Sequence, residues 1–309
     1  MKPFKDSQIL VSGATGLIGQ ELTRALVDSG YRVMVLSRSP KFVEKELSSG
    51  IHYIEWHGDF TTWLVREVEK SYAVINLAGE GIANSRWTRR RRMQLIRSRL
   101  GTTRALAKAC HYAQKKPKVF IQGSATGYYP FSESQIYNEN SLPGYSFLSR
   151  LTADWEAVAT HELPSEIRLV LIRTGVVLSN KGGMLPKLVK PVNFFAGGWF
   201  GSGNQKISWI HIRDEVDAII HLLLEPKAKG PFNLVAPNPL SQKDLVKKIA
   251  QKLRRASWIS IPAPIVKLIM GQMADELLLN GNHIESLKLK EVGYEFNFKS
   301  IETALDDLL

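Results

Sequence analysis

A single cysteine, Cys110, excludes an internal disulfide framework and fits a reducing compartment. The seven histidines are scattered without metal-ligand spacing, so no metal is expected. No uninterrupted apolar run approaches the roughly 20 residues that a membrane-spanning helix needs. The opening MKPFKDSQILVSG runs straight into a glycine turn and leaves no room for a signal peptide. The expectation is a cytoplasmic protein with no membrane partner. Internal repeats and low-complexity tracts are absent as well. Acidic residues are scarce relative to basic ones, 29 against 41, giving a formal net charge of +12 in 309 residues. That balance favours anionic or phosphorylated partners without saying which.

What is present begins with LVSGATGLIGQEL, an apolar strand followed by Gly13, Gly16 and Gly19, three residues apart. Glycine tolerates positive φ and carries no Cβ, so backbone amides can close on a phosphate where the next helix starts. Taken alone, such a turn also fits simple close packing. Its context is an alternation of β-branched runs with helical patterns. QILVSG is followed by a helix over 17–29, YRVMVLS by a short helix, and IHYIEW and AVINLAG by a long helix reaching about 114. KVFIQGS is followed by a helix over 147–161 and then RLVLIRTGVV. Strands separated by helices predict βαβ units, hence an α/β, doubly wound parallel sheet of the Rossmann kind. The expected division is a nucleotide-binding domain over 1–178 with contributions from 206–235. A substrate loop and a small C-terminal α/β region over 179–309 complete it. In the long helix, Met93, Ile96, Leu100, Thr103, Ala107 and Cys110 are spaced as one core-facing stripe, which makes Cys110 a small buried hydrophobe.

The second strand ends in Leu36, Ser37 and Arg38, in the register where an acidic residue selects NAD through its ribose hydroxyl. A guanidinium instead suits a 2′-phosphate, so Arg38, assisted by Ser37 or Ser39, predicts NADP(H). Basic residues also cluster at Arg89, Arg90, Arg91 and Arg92, which reads as a solvated face or as a site for a local anion. No aromatic-basic recognition motif accompanies them, so nucleic acid is not the expected partner.

Together these segments resemble the extended and atypical short-chain dehydrogenase/reductase superfamily, of the NAD-dependent epimerase/dehydratase kind. SGATGLIG is similar to its nucleotide fingerprint, which implies cofactor contacts at Gly13, Thr15, Gly16, Leu17, Ile18 and Gly19. HGDF places Asp59 and Phe60 at the adenine side, and NLAG places Leu77, Ala78 and Gly79, with Glu80 following, along the cofactor. LGTTRAL, WIHIRDEVDAI and FNLVAPNPLSQKDLVKKI extend the likeness over nearly the whole chain. NLAGEGI before RWTRRRRMQLIRSR, GSATGYY, and the tail IMGQMADELLLNGNHIESLKLKEVGYEF resemble an epimerase-family subgroup with a small C-terminal domain of unknown function. The resemblance implies NADP(H), an unidentified small-molecule substrate and a monomer or homodimer.

It also implies a catalytic hydroxyl at Ser124 and a Tyr-x-x-x-Lys pair on the next helix, where the lysine lowers the tyrosine pKa. That helix reads YSFLSRLTADWE, which puts Ser146 at the tyrosine position and Arg150 at the lysine position. Tyr145 is one residue out of place, about 100° around a helix, and Tyr128 or Tyr129 would have to reach in from another loop. The expectations are therefore an oxidoreductase or epimerase with a non-standard proton donor, or an NADP-sensing protein without turnover. Among other polar and aromatic candidates, Glu139 is expected as a solvated loop carboxylate and His211 as a locally bonded side chain. Trp87 and Trp209 are expected as core or lid aromatics, and Asp214 as the cap or the start of the helix after WIHI.

Overall fold

The computed structural model describes residues 7–38 and 51–309. Ser39 and the short helix expected after the second strand lie outside the described residues. Seven strands form one sheet: β1 Gln8–Ser12, β2 Arg32–Ser37, β3 Ile51–Glu55, β4 Ser71–Asn76, β5 Val119–Ala125, β6 Arg168–Thr174 and β7 Gly230–Leu234. Every pairing is parallel, in the order β7-β6-β5-β4-β1-β2-β3. The strands read as continuous apolar runs because helices cover both faces. Along β1, Ile9 and Val11 join the core on one side while Leu10 joins the core on the other, and all three are fully buried.

On the first face lie α1 (Leu17–Asp28) and, much later in the chain, a helix over Ile212–Leu224. On the second lie α2 (Thr62–Lys70) and the C-terminal half of α3 (Arg89–Tyr112). Cys110 is buried there, and burial pushes its thiol up to about 12, consistent with a packing role. The predicted stripe of α3 needs one correction: Met93 is 44% exposed, and Leu95 is the buried residue of that turn. The first half of α3 does not lie on the sheet; Ile96 and Leu100 border a cavity beside it. α4 (Phe147–Glu162) starts within one residue of its predicted place, with Ser146 as N-cap accepting from the Ser149 amide.

A second apolar cluster joins α5 (Leu185–Asn193), the strand-like segment around Trp209, α7 (Gln242–Lys252) and the terminal helix α9 (Ile301–Leu308). Between α5 and α7 comes α6 (Ile212–Leu224). Its N-cap is His211, whose Nδ1 accepts from the Arg213 amide at 3.1 Å, and not Asp214. Asp214 is fully buried and instead receives the Tyr294 hydroxyl and the amides of Asn297 and Phe298 at 2.8–3.0 Å. It anchors the C-terminal tail. α8 (Ala263–Met270) lies between α7 and α9. No helix among the described residues is long and apolar enough to cross a membrane.

Candidate functional site

The sheet order reverses between β1 and β4, and a crevice opens beyond the carboxyl ends of those strands, as it must when crossovers leave in opposite directions. The glycine turn forms its floor. Gly13 has φ +79°, and a Cβ there would sit 2.5 Å from the Leu77 carbonyl carbon; one on Gly19 would sit 2.2 Å from the Gly13 oxygen. Both positions exclude any side chain, so β1, α1 and β4 approach as closely as backbones can. Gly16 is the N-cap of α1 and offers no side-chain cap, which leaves the first amides of the helix for an anion.

Two cavities meet at the end of β4. The outer one, about 690 Å³, is bordered by Gly13, Thr15, Ser37, Arg38, Asp59, Ala78, Gly79 and Glu80. Phe60 turns away from it: its ring packs on Tyr112 at 5.6 Å and lies under Lys108. The Arg38 guanidinium donates to Glu80 Oε1 at 2.9 Å, and Arg91 donates to Glu80 Oε2 at 3.3 Å. Partial burial alone would raise the Glu80 carboxyl, but the two arginines outweigh it and hold it below its ordinary range. Of the basic cluster, then, Arg91 does not belong to a solvated face: its side chain is 13% exposed and turned into this cavity.

The inner cavity, about 400 Å³, is bordered by Ile18, Leu77, Ser124, Leu148, Thr152 and Trp155, with Leu278 and Asn282 from the C-terminal region opposite. Leu17, expected as a cofactor contact, borders neither cavity and lies beside Gly182 and Gly183. Arg99 sits between the cavities, its guanidinium 5.2 Å from the Trp155 ring and bonded to the Glu80 carbonyl at 3.1 Å. Burial lowers its pKa to about 10 although Glu80 opposes the shift.

Ser124, the last residue but one of β5, stands on the wall of this cavity and donates to Glu156 Oε1 at 2.5 Å. Glu156, from α4, is gripped by Arg173 of β6 through two bonds of 2.8 Å. Arg173 also donates to the Tyr129 hydroxyl at 2.8 Å, and that hydroxyl donates to Asn233 at 2.6 Å. Burial would lower the Arg173 pKa, but the fork-to-fork contact with Glu156 raises it. Burial likewise pushes the Tyr129 phenol up to about 12, against Arg173, so it stays protonated and structural.

The candidates on α4 fall elsewhere. Tyr145 precedes the N-cap, is 88% exposed and borders neither cavity; Arg150 is exposed one turn into the helix. The cavity side of α4 carries Leu148, Leu151, Thr152 and Trp155, because the same face must also pack on α3. Tyr128 lies over Arg173, 3.6 Å from its guanidinium to the ring centre. Glu139 is not solvated: it is 5% exposed, accepts from the Asn233 amide at 3.1 Å, and joins the same network. His211 is fully buried and bonded locally as expected, and Trp87 and Trp209 are buried.

Arg173, Glu156 and Arg99 are residues to which sequence reasoning gave no role in the site, whereas Arg91 belongs to the run for which a local anion was one of two readings. An arginine inside the apolar strand LVLIRT is itself a signal, since a charge there must find a buried partner. Its partner on α4 is 17 residues away, with no local pattern to mark it.

Residues 9–235 match the NAD dependent epimerase/dehydratase family, and residues 261–308 match a domain of unknown function, DUF1731. An epimerase family protein of Staphylococcus aureus is 34% identical over 304 residues, covering 98% of this chain and 99% of that protein. A chloroplastic epimerase family protein SDR39U1 homolog of Arabidopsis thaliana is 34% identical, covering 97% of this chain and 87% of that protein. The crystal structure of human epimerase family protein SDR39U1 with NADPH superposes with a TM-score of 0.85 at 31% identity, covering 97% of this chain and 98% of that one.

Proposed function

The chain belongs to the NAD dependent epimerase/dehydratase family, and on that premise we propose that it binds NADP(H) and presents it to a small hydroxyl-bearing molecule in the inner cavity. The observation that carries the reading is Arg38, placed at the end of β2 on the rim of the outer cavity, where an acidic residue would favour NAD. The glycine turn, which a Cβ at Gly13 or Gly19 would force open against backbone, and the uncapped start of α1 beside it support a dinucleotide lying across the crevice. The NADPH held by the human relative supports the same cofactor. Gly13, Thr15 and Gly16 would hold its phosphates, Ser37 and Arg38 its adenosine ribose, and Asp59, Ala78 and Gly79 its adenosine side.

Bound there, the nicotinamide supplies a hydride donor or acceptor. The protein's own contribution centres on Ser124. Because its proton is committed to Glu156, its oxygen lone pairs are what it offers the cavity, which suits a substrate hydroxyl that donates a hydrogen bond. Glu156 is in turn oriented by Arg173, so the Ser124 rotamer is held from two elements behind it. No phenol or ammonium from α4 stands on the cavity wall among the described residues. A positioned acid or base is worth about 10² to 10⁴ in rate, and turnover should be lower than in a reductase with the Tyr-Lys pair by that order. That same wall favours a second reading, an NADP-sensing protein whose inner cavity binds without turnover.

Titration of NADPH and NADH against the wild type and Arg38→Ala tests the cofactor reading. A charge-assisted contact of roughly 1.5 to 3 kcal/mol predicts about a tenfold to hundredfold preference for NADPH, lost in the variant. Equal wild-type affinities would overturn it. Following NADPH absorbance over a panel of carbonyl compounds, and NADP reduction over the matching alcohols, separates the two readings. Slow turnover that falls further in Ser124→Ala supports the enzyme, and rates indifferent to that change support the sensor.

A further inference from the structure

Two members of the basic run at the start of α3 do not behave as surface: Arg92 lies over the Phe147 ring and donates to Gln272, and Arg91 turns into the outer cavity. Arg91 lies in the first turn of α3, where a cation opposes the helix dipole, and its side-chain bond within the helix goes to Gln94 Oε1 at 3.3 Å. Yet its side chain is 13% exposed, its Nη2 donates to the Gly81 carbonyl at 2.7 Å and its Nη1 to Glu80 Oε2 at 3.3 Å. Its Nε is buried with no hydrogen-bond partner among the described residues. Across the same carboxylate, Arg38 reaches Glu80 Oε1 at 2.9 Å from a side chain that is 70% exposed. One anion is thus shared by two guanidiniums from elements far apart in the chain. Arg97 and Arg104 border the same cavity, so its charged side chains are mostly cationic.

A phosphate presents two oxygens to a pair of guanidiniums much as a carboxylate does, with more charge and a third oxygen to spare. We infer that Arg38 and Arg91 form a single cleft for the cofactor's 2′-phosphate, and that Glu80 is its resident anion, exchanged for the phosphate when NADPH binds. This rests on the NADP(H) reading above and deepens it: Arg91 becomes a second specificity residue, and Glu80 a built-in competitor. NADH, lacking the phosphate, leaves the Arg38–Glu80–Arg91 bridge closed. The arrangement also accounts for the acidic residue directly after NLAG, on the rim of a site that must accept a dianion.

The test is NADPH and NADH binding to the full chain, by quenching of protein fluorescence, for the wild type, Arg38→Ala, Arg91→Gln and Glu80→Gln. Loss of one charge-assisted partner predicts NADPH binding about tenfold weaker in Arg91→Gln, with NADH within about twofold of the wild type. Glu80→Gln removes the competing charge and predicts tighter NADPH binding, again with NADH little changed. Arg91→Lys, which keeps the charge and loses the fork, is expected between wild type and Arg91→Gln. Equal weakening of both cofactors in Arg91→Gln would assign Arg91 to holding the Gly81 loop and overturn the cleft. So would no change in either. Weaker NADPH binding in Glu80→Gln would show that Glu80 supports the arginines with phosphate bound, and would overturn the exchange. If the wild type shows no NADPH preference and Arg38→Ala changes nothing, the NADP(H) reading itself fails and takes this inference with it. Loss of preference in Arg38→Ala with an unaffected Arg91→Gln leaves that reading standing and removes only Arg91.

Discussion

Arg173 and Glu156 are 3% and 7% exposed, and neither has another full charge within bonding distance. Removing one partner of such a buried pair leaves the other uncompensated, at about 3–5 kcal/mol. Glu156→Gln should therefore lower stability to urea by about that amount, and the double change Glu156→Gln with Arg173→Met should recover much of it. If both single and double variants match the wild type, the pair is not a stability determinant. Glu215 carries a different liability. It is fully buried on α6, its Oε1 takes the Thr174 hydroxyl at 2.6 Å, and its Oε2 has no partner among the described residues. Burial, opposed only by that bond, raises its pKa from 4.5 to about 8. Between those two values the folded chain holds a proton that the unfolded chain has released. Stability therefore falls as pH rises through the interval from about 4.5 to 8. Glu215→Gln, neutral at every pH and able to keep the Thr174 bond, should flatten the fall in Tm between pH 5 and pH 8. An undiminished slope would mean other groups produce it.

α1 and α4 carry the site, and each is held at its N-terminus by something outside itself. For α1 the constraint is the absence of a side chain at Gly19, where Gly19→Ala would strike the Gly13 carbonyl and push α1 off the glycine turn. Overpacking of this kind costs roughly 1–3 kcal/mol, and here the displaced turn is also the cofactor floor. NADPH binding should be lost before folding is, as seen by comparing cofactor titration with circular dichroism at 25 °C. For α4 the device is Glu276 from the C-terminal region, whose oxygens accept the amides of Phe147 at 3.1 Å and Leu148 at 2.8 Å. A carboxylate at a helix N-terminus satisfies orphan donors and the dipole together. Glu276→Ala should cost about 1 kcal/mol and appear as faster hydrogen exchange at those two amides. Exchange unchanged at both would show that Ser146 alone caps the helix.

The C-terminal region is bound into the first by polar bonds as much as by apolar packing. Asp214 holds the tail at Tyr294, Asn297 and Phe298; Glu276 caps α4; and Ser208 bonds the Asn282 carbonyl at 2.9 Å beside the inner cavity. A chain cut after Arg254 would leave Asp214 as an unpaired buried charge, strip the cap from α4 and open one wall of the inner cavity. The expected outcome is failure of the truncated chain to fold and, in the intact protein, a single cooperative thermal transition. Two resolved transitions, or a folded truncated chain that binds NADPH, would show that the regions are independent.

Local chemistry alone specified the Rossmann architecture. Continuous apolar runs such as QILVS need two covered faces, and the spacing of Gly13, Gly16 and Gly19 between a strand and a helix marks a tight turn; both are properties of short segments and so can be read in order. The span of α4 was legible for the same reason, because helical apolar spacing is a local pattern, but the capping role of Ser146 was not, since the sequence placed it at the tyrosine position. Arg38 was legible too, since its place depends only on its distance from the glycine turn. What needed tertiary structure were pairings across the chain. Glu139 looks solvated in NENSLPG until Asn233 is brought to it. Met93 fits the helical stripe of α3 until the N-terminal half of that helix projects past the sheet. Arg91 reads as one of four charges on a solvated face or at an unplaced anion site until β4 delivers Glu80 beside it and β2 delivers Arg38. Each of these depends on which long-range neighbour desolvates the group, and a buried charge acquires its role from the partner that makes its burial tolerable.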